Sequence, residues 1–236
     1  MGPVGLVTGM SREDSLQGGV TVGRVRYGVS MSLDGYVAGE RQSVAHPLGE
    51  GGERLHEWMR KLAVWREAAG LEGGELNSNT EVLEEGETEG AIIMGRNMFG
   101  GGTGPWSDDP PWIGWWGDDP PMHLPVFVLT HYPRPRLELK GNNSFTFVTD
   151  GIVSALEQAR AVAGDRDVAI WGGGHTAAQY LSQGLIDEMD LHVVPELLGG
   201  GVRLFDLVDA ARVRLEQVRV REGPGVVHLR YRVTAR

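Results

Sequence analysis

Hydrophobic residues in this chain recur in two rhythms, and the switches between them mark its elements. Val25, Tyr27, Val29 and Met31 alternate with polar neighbours, which predicts a strand over Arg24–Ser32 that turns at Asp34-Gly35. Ala91–Met94 and Pro125–Thr130 are unbroken apolar runs, expected of strands covered on both faces. Ser144–Thr149, Asp167–Trp171 and Glu188–Pro195 add three more strands. The rhythm changes to helical spacing at Leu55, Trp58, Met59, Leu62, Ala63 and Trp65 or Ala69, predicting one amphipathic helix over Glu53–Ala69 with His56 and Glu57 toward its polar side. Asn77-Ser78-Asn79-Thr80 ahead of Glu81, Glu84 and Glu85 predicts a short capped helix. Asp150 is expected to cap a helix over Ile152–Ala163, with Val153, Leu156, Ala159 and Arg160 on successive turns. Another helix follows Gly174 and ends near Gly184, and Gly199-Gly200-Gly201 reads as a loop. Alternation on both sides of Glu222-Gly223-Pro224-Gly225, from Val213 to Val220 and from Val227 to Val233, predicts a closing hairpin. Strand and helix in turn, then a hairpin, give an α/β domain with a mixed, mostly parallel sheet and helices on both faces. That domain spans 24–236, behind a flexible extension over Met1–Gly23.

Composition narrows the chemistry. The 236 residues are 41% hydrophobic and 23% charged, as in a globular protein. With no cysteine there is neither a disulfide framework nor a thiol nucleophile. No apolar run approaches the roughly 20 residues of a membrane span, and the N-terminus lacks a secretory pattern, so a cytoplasmic protein without a membrane partner is expected. A net charge of −10 argues against nucleic acid as a partner, yet a few arginines can still reverse the field at one spot.

Two strand ends carry glycines into a helix. Asp167–Trp171 runs into Gly172-Gly173-Gly174-His175-Thr176, and Ile93-Met94 runs into Gly95-Arg96. Glycine lets the backbone approach a bound group, and a helix start offers unpaired N–H donors, so each junction suits a phosphate or a plain tight turn. Arg96 adds a fork of donors. The end of another strand supplies Thr130 and His131, with Arg134 and Arg136 just beyond. Asp34 sits at the carboxyl end of the first strand, either as an Asx turn or as a ligand-facing carboxylate. Between 101 and 123 lie four of the seven tryptophans amid Asp-Asp-Pro-Pro repeats, which read as an ordered flap or an interface loop. No histidine cluster accompanies those aspartates, so no metal is expected, and the lack of a Gly-Lys-Ser/Thr loop excludes a P-loop kinase.

Ser32-Leu33-Asp34-Gly35, Ile93-Met94-Gly95-Arg96 with Phe99, Leu129-Thr130-His131 and Trp171-Gly172-Gly173-Gly174 together resemble the dihydrofolate-reductase-like superfamily, in particular the pyrimidine reductase domain of riboflavin biosynthesis. The resemblance runs from about Arg24 to Arg236 and implies a three-layer αβα fold binding NADPH. It places the adenosine 2′-phosphate at Gly95, Arg96, Thr130 and His131, and the pyrophosphate at Gly172, Gly173, Gly174, His175 and Thr176. Ala38 and Gly39 would lie near the nicotinamide, Asp34 would orient substrate or relay a proton, and Trp106 and Glu57 would contact substrate. The implied activity is reduction of a small heterocyclic or sugar-derived compound, as in a 5-amino-6-(5-phosphoribosylamino)uracil reductase. Pteridine reduction of the dihydrofolate reductase type, or a non-catalytic nucleotide-binding role, are the alternatives. The relatives also imply a homodimer. The chain departs from them in having Trp171 where an acidic residue commonly precedes the glycines.

Overall fold

The computed structural model describes residues 23–85, 88–107 and 111–235. The extension expected over Met1–Gly23 therefore lies outside the described residues, apart from Gly23 itself. In chain order the elements are β1 (Val25–Ser32), β2 (Tyr36–Ala38), a 3₁₀ turn (Gly52–His56), α1 (Glu57–Arg60), α2 (Ala63–Ala68), α3 (Thr80–Glu84), β3 (Glu89–Gly95) and α4 (Arg96–Phe99). There follow β4 (Pro125–Leu129), β5 (Leu137–Glu138), β6 (Ser144–Val148), α5 (Ile152–Ala163), β7 (Asp167–Trp171), α6 (Gly174–Ser182), β8 (Glu188–Val194), β9 (Val202–Arg203), β10 (Val213–Gly223) and β11 (Val226–Ala235).

Nine strands form one sheet in the order β10-β11-β8-β1-β7-β3-β4-β6-β5, and β2 pairs with β9 beside it. From β8 through β6 the pairing is parallel, while β11 and β10 join antiparallel. The expected α/β sheet with a closing hairpin is what forms. Gly225, at φ 74°, makes the tight turn of that hairpin.

The two faces of the sheet are covered differently. On one face, Ala155, Leu156 and Ala159 of α5 and Ala177, Tyr180 and Leu181 of α6 close over Val25, Tyr27, Ile93, Val168 and Ile170. Tyr180 donates from its hydroxyl to the Ile152 carbonyl at 2.9 Å, tying α6 to the start of α5. The opposite face has two separate covers. Phe99, Trp106, Trp112 and Trp116 close over Ile92, Met94, Val126, Val128 and Ala169. Leu55, Trp58 and Leu62 close over Val194 and Val226.

Three local expectations change. The single helix over Glu53–Ala69 is broken into a 3₁₀ turn, α1 and α2, because Leu62 is extended (ψ 141°) and bridges Glu75, while the Ala63 amide donates to the Glu75 carbonyl. Periodicity detects the buried stripe but not a strand-like bridge that competes for the same backbone groups. Asp150 does not cap α5: Gly151 holds the cap position at φ 100°, and the buried stripe begins at Ile152, leaving Val153 exposed. Asn79 likewise makes no capping bond to α3, since its side chain is engaged elsewhere.

Candidate active site

The two glycine junctions are neighbours. β3 and β7 pair directly, with Met94 opposite Trp171, so both strands end at the same level of the sheet. A Cβ on Gly95 would sit 2.6 Å from Thr176 Oγ1, and one on Gly172 would sit 3.7 Å from Met98 Cβ. Gly172 holds φ 124°, where a side chain would be strained, and passes the chain into α6. No side chain caps α6, so its first-turn N–H groups emerge beside Gly95 without a competing acceptor from the cap residue. Tyr27 underlies the corner and donates to the Gly172 carbonyl at 3.4 Å. Burial raises its phenol far above the ordinary value, so it remains a neutral donor. Thr176 is buried against this corner, whereas His175 is exposed at its rim.

Arg96, the first residue of α4, extends the corner toward β4. Its guanidinium donates weakly to the Gly100 and Gly101 carbonyls and to Thr130 Oγ1, at 3.3 to 3.4 Å, and lies 3.2 Å from the centroid of the Trp106 ring. Arg134 approaches the same indole at 5.0 Å. Among the described residues no carboxylate comes within ion-pair distance of Arg96. Burial first, and the Arg134 charge second, lower its pKa from the ordinary value. Thr130 is buried at the end of β4, and its Oγ1 accepts from the Tyr132 amide at 3.2 Å. His131, next in the chain, is exposed at the mouth.

The other expected residues are placed as follows. Asp34 accepts from the Ser32 hydroxyl at 2.6 Å, the Gly199 amide at 2.8 Å and the Leu198 amide at 3.2 Å. The Ser32 hydroxyl, helped by those amides, holds its carboxyl down to about 2. This carboxylate pins the loop ahead of β9, and at neutral pH it has no proton to give. Ala38 and Gly39 are buried, with Ala38 opposite Val202. Gly39 leaves no room for a Cβ against the Glu50 carbonyl, and Gly174 approaches the Arg203 carbonyl on the far side of β9. The expected nicotinamide loop is thus joined to the triple-glycine corner through β9. Trp106 does not present a free face to a planar ring: Arg96 occupies that face, Phe99 and Phe147 pack edge-on, and its Nε1 donates to the Tyr132 carbonyl at 2.9 Å. Glu57 stands exposed beside Arg60, Lys61, Arg66 and Glu75, outside the corner.

Sequence reasoning missed an opening on the sheet. Gly28, in the middle of central strand β1, is exposed, and a Cβ built on it would meet nothing within 4 Å. It lies between the two covers of that face. Ser30, two residues on, receives the Trp58 indole N–H at 3.0 Å, and His192 of β8 is paired beside it. The small residues Gly28 and Ser30 at the polar positions of the β1 alternation were the available signal, since a central strand has little reason to place glycine and serine on one face without something for them to face. Among the described residues, no group of three or more His, Asp or Glu side chains is arranged to hold a metal ion. No helix among them is long and apolar enough to cross a membrane.

Comparison with known proteins adds an independent line. The family model of the RibD C-terminal domain matches residues 24–229. The uncharacterized protein YyaP of Bacillus subtilis (strain 168) is 30% identical over 101 residues, a stretch making up 42% of this chain and 53% of YyaP. The match thus spans about half the length of that curated relative. A candidate riboflavin biosynthesis protein of Shewanella sp. PV-4 superposes with a TM-score of 0.58 at 21% identity, covering 89% of this chain and 99% of that one. The diaminohydroxyphosphoribosylaminopyrimidine deaminase/5-amino-6-(5-phosphoribosylamino)uracil reductase of Thermotoga maritima gives 0.55 at 13% identity, covering 89% of this chain and 56% of that one. At these identities the two structures speak for the fold, which is the dihydrofolate-reductase-like α/β architecture with its closing hairpin.

Proposed function

The chain belongs to the RibD C-terminal domain family, and from that membership we propose that it is an NADPH-dependent reductase. Its substrate is a small heterocyclic or sugar-derived compound, reduced in the manner of 5-amino-6-(5-phosphoribosylamino)uracil. The observation that carries this reading is the contact between the two corners, where a Cβ on Gly95 would meet Thr176 Oγ1 at 2.6 Å. One dinucleotide can therefore lie across both, with its pyrophosphate on the first turn of α6 and its 2′-phosphate toward Arg96 and Thr130. The residues present fit such a group: glycine backbones that a side chain would fill, and a partly buried guanidinium with no carboxylate within ion-pair distance among the described residues.

When bound, the nicotinamide supplies hydride. The protein's part is to hold, orient and keep water out. Arg96 supplies the charge that separates a phosphorylated from an unphosphorylated ribose, and Trp106 holds its guanidinium flat from the opposite face. Asp34 acts as a positioning residue, fixing the 198–199 loop from which β9 runs to Gly174. The opening above Gly28 is where the substrate would rest, beside the end of β7.

A non-catalytic, nucleotide-binding role has one observation in its favour. Asp34 is ionised at neutral pH, so it has no proton to hand to a substrate. Titration with NADPH, read by tryptophan fluorescence, tests the cofactor claim, because Trp106 touches Arg96. Quenching is expected, and a flat signal at millimolar NADPH rejects the reading. Turnover with pteridine and aminopyrimidine substrates then separates a reductase from a binder.

A further inference from the structure

A chain of hydrogen bonds runs under the cover formed by Trp58. It begins at the Pro224 carbonyl in the terminal hairpin, a group that can only accept. Asn79 Nδ2 donates to it at 3.2 Å, which fixes the amide so that Asn79 Oδ1 faces His228 Nε2 at 3.0 Å. His228 Nε2 must then carry the proton, and its Nδ1 must accept. The partner of that Nδ1, at 2.8 Å, is His192 Nδ1, which accordingly carries a proton as well. Both imidazoles are neutral near pH 7, since burial first lowers the pKa of His192 to about 3 and that of His228 to about 4. Each link in the polarity follows from the one before, and the chain ends with a lone pair on His192 Nε2.

Among the described residues the hydrogen bond of the His192 ring is the one through Nδ1, and none reaches its Nε2. His192 is paired beside Ser30, on the sheet face that lies open at Gly28 two residues away. Ser30 Oγ accepts from the Trp58 indole, which leaves its own O–H free as a second polar group on this face. His56 lies close enough that its charge would oppose a charge on His192. An imidazole lone pair without a partner, beside an opening over a central strand, calls for something that donates a hydrogen bond.

We propose that His192 is a specificity-determining residue of the substrate side, a fixed neutral acceptor that selects ring ligands presenting an amino or N–H edge. Asn79 and His228 act through it as positioning residues. The proposal rests on reading the opening above Gly28 as the substrate side of a reductase.

The test is a long-range ¹H–¹⁵N spectrum of the histidine rings of the full chain, with His192 assigned from the peaks lost in His192→Gln. At pH 7.5 His192 should appear as the Nδ1–H tautomer and His228 as the Nε2–H tautomer; His192 protonated at Nε2 would overturn the proposal. Two probes of equal shape then follow, 2-aminopyrimidine and 2-methylpyrimidine. The amino compound should move the His192 Nε2 resonance and the methyl compound should leave it in place; equal responses, or none, would overturn the proposal. Asn79→Leu should mix the tautomers and weaken 2-aminopyrimidine about fivefold, the scale of one hydrogen bond. NADPH titrated in parallel separates the two claims. NADPH binding without a His192 response sinks the acceptor role alone, and a His192 response without NADPH binding sinks the reductase reading alone.

Discussion

The two covers on one face of the sheet solve opposite problems. On the β3–β4 side, Trp106 covers a guanidinium that has no carboxylate partner among the described residues, and glycines keep the backbone bare. On the β8–β11 side, Trp58 packs 5.0 Å from both His192 and His228, over polar groups joined end to end and held neutral. The first arrangement stores an electrostatic deficit that an anion relieves, so it provides affinity through charge. The second stores no charge and leaves one imidazole lone pair without a partner, so it provides discrimination through direction. A hydride-transfer protein needs both: a firm grip on a cofactor common to many reactions, and a selective one on the substrate.

The contrast is sharpest at two glycines. Gly95→Ala places a methyl 2.6 Å from Thr176 Oγ1; it should abolish NADPH binding and cost about 1–3 kcal/mol of stability by overpacking. Adding Thr176→Ala should restore the melting temperature, and a double variant as unstable as the single one would show the clash lies elsewhere. Arg96→Ala comes next: NADPH should weaken about 10- to 100-fold, the scale of a hydrogen-bonded charge, with NADH changed much less. Equal losses for the two cofactors would remove the 2′-phosphate role.

The response to pH separates the regions by sign. Burial lifts Glu89, on the tryptophan side, to about 7. Its ionisation is penalised in the folded protein, so the penalty develops as pH rises from the ordinary carboxyl value and is complete above 7. Glu89→Gln should therefore stabilise the protein at pH 8, on the order of 2 kcal/mol, and leave it nearly unchanged at pH 4. The histidine pair acts in reverse. Its lowered pKa values mean that stability is fully present above about 6.5 and is lost as pH falls toward 4 and 3, a slope that denaturant melts of His228→Gln should show flattened. The smallest expected effect is at Gly28, where alanine finds open space; Gly28→Ala should change stability by no more than about 0.5 kcal/mol. A large loss there would mean that the face is closed.

How much of this was legible in the sequence depended on the range of the interaction. Strand runs such as Ala91–Met94 and the alternation around Pro224-Gly225 declare themselves locally, and they produced the sheet and its hairpin. The glycine corners were visible one at a time; their contact was not, because it depends on β3 and β7 pairing across more than seventy residues. Trp106 read as a free aromatic face because its partner Arg96 is adjacent only in space. The break in the helix at Leu62 depends on Glu75, and the histidine chain on residues 79, 192, 224 and 228, so neither leaves a periodic trace. Asp34 was located correctly at a strand end, but its hydrogen bonds to the 198–199 loop could not be read from Asp-Gly.

The central claim is that both corners hold one dinucleotide, and amide hydrogen exchange with and without NADPH tests it directly. Saturating NADPH should slow exchange together in two segments, from Gly95 to Gly100 and from Gly172 to Ala177, with the same midpoint concentration. Protection confined to one of them, or midpoints that differ, would contradict the account.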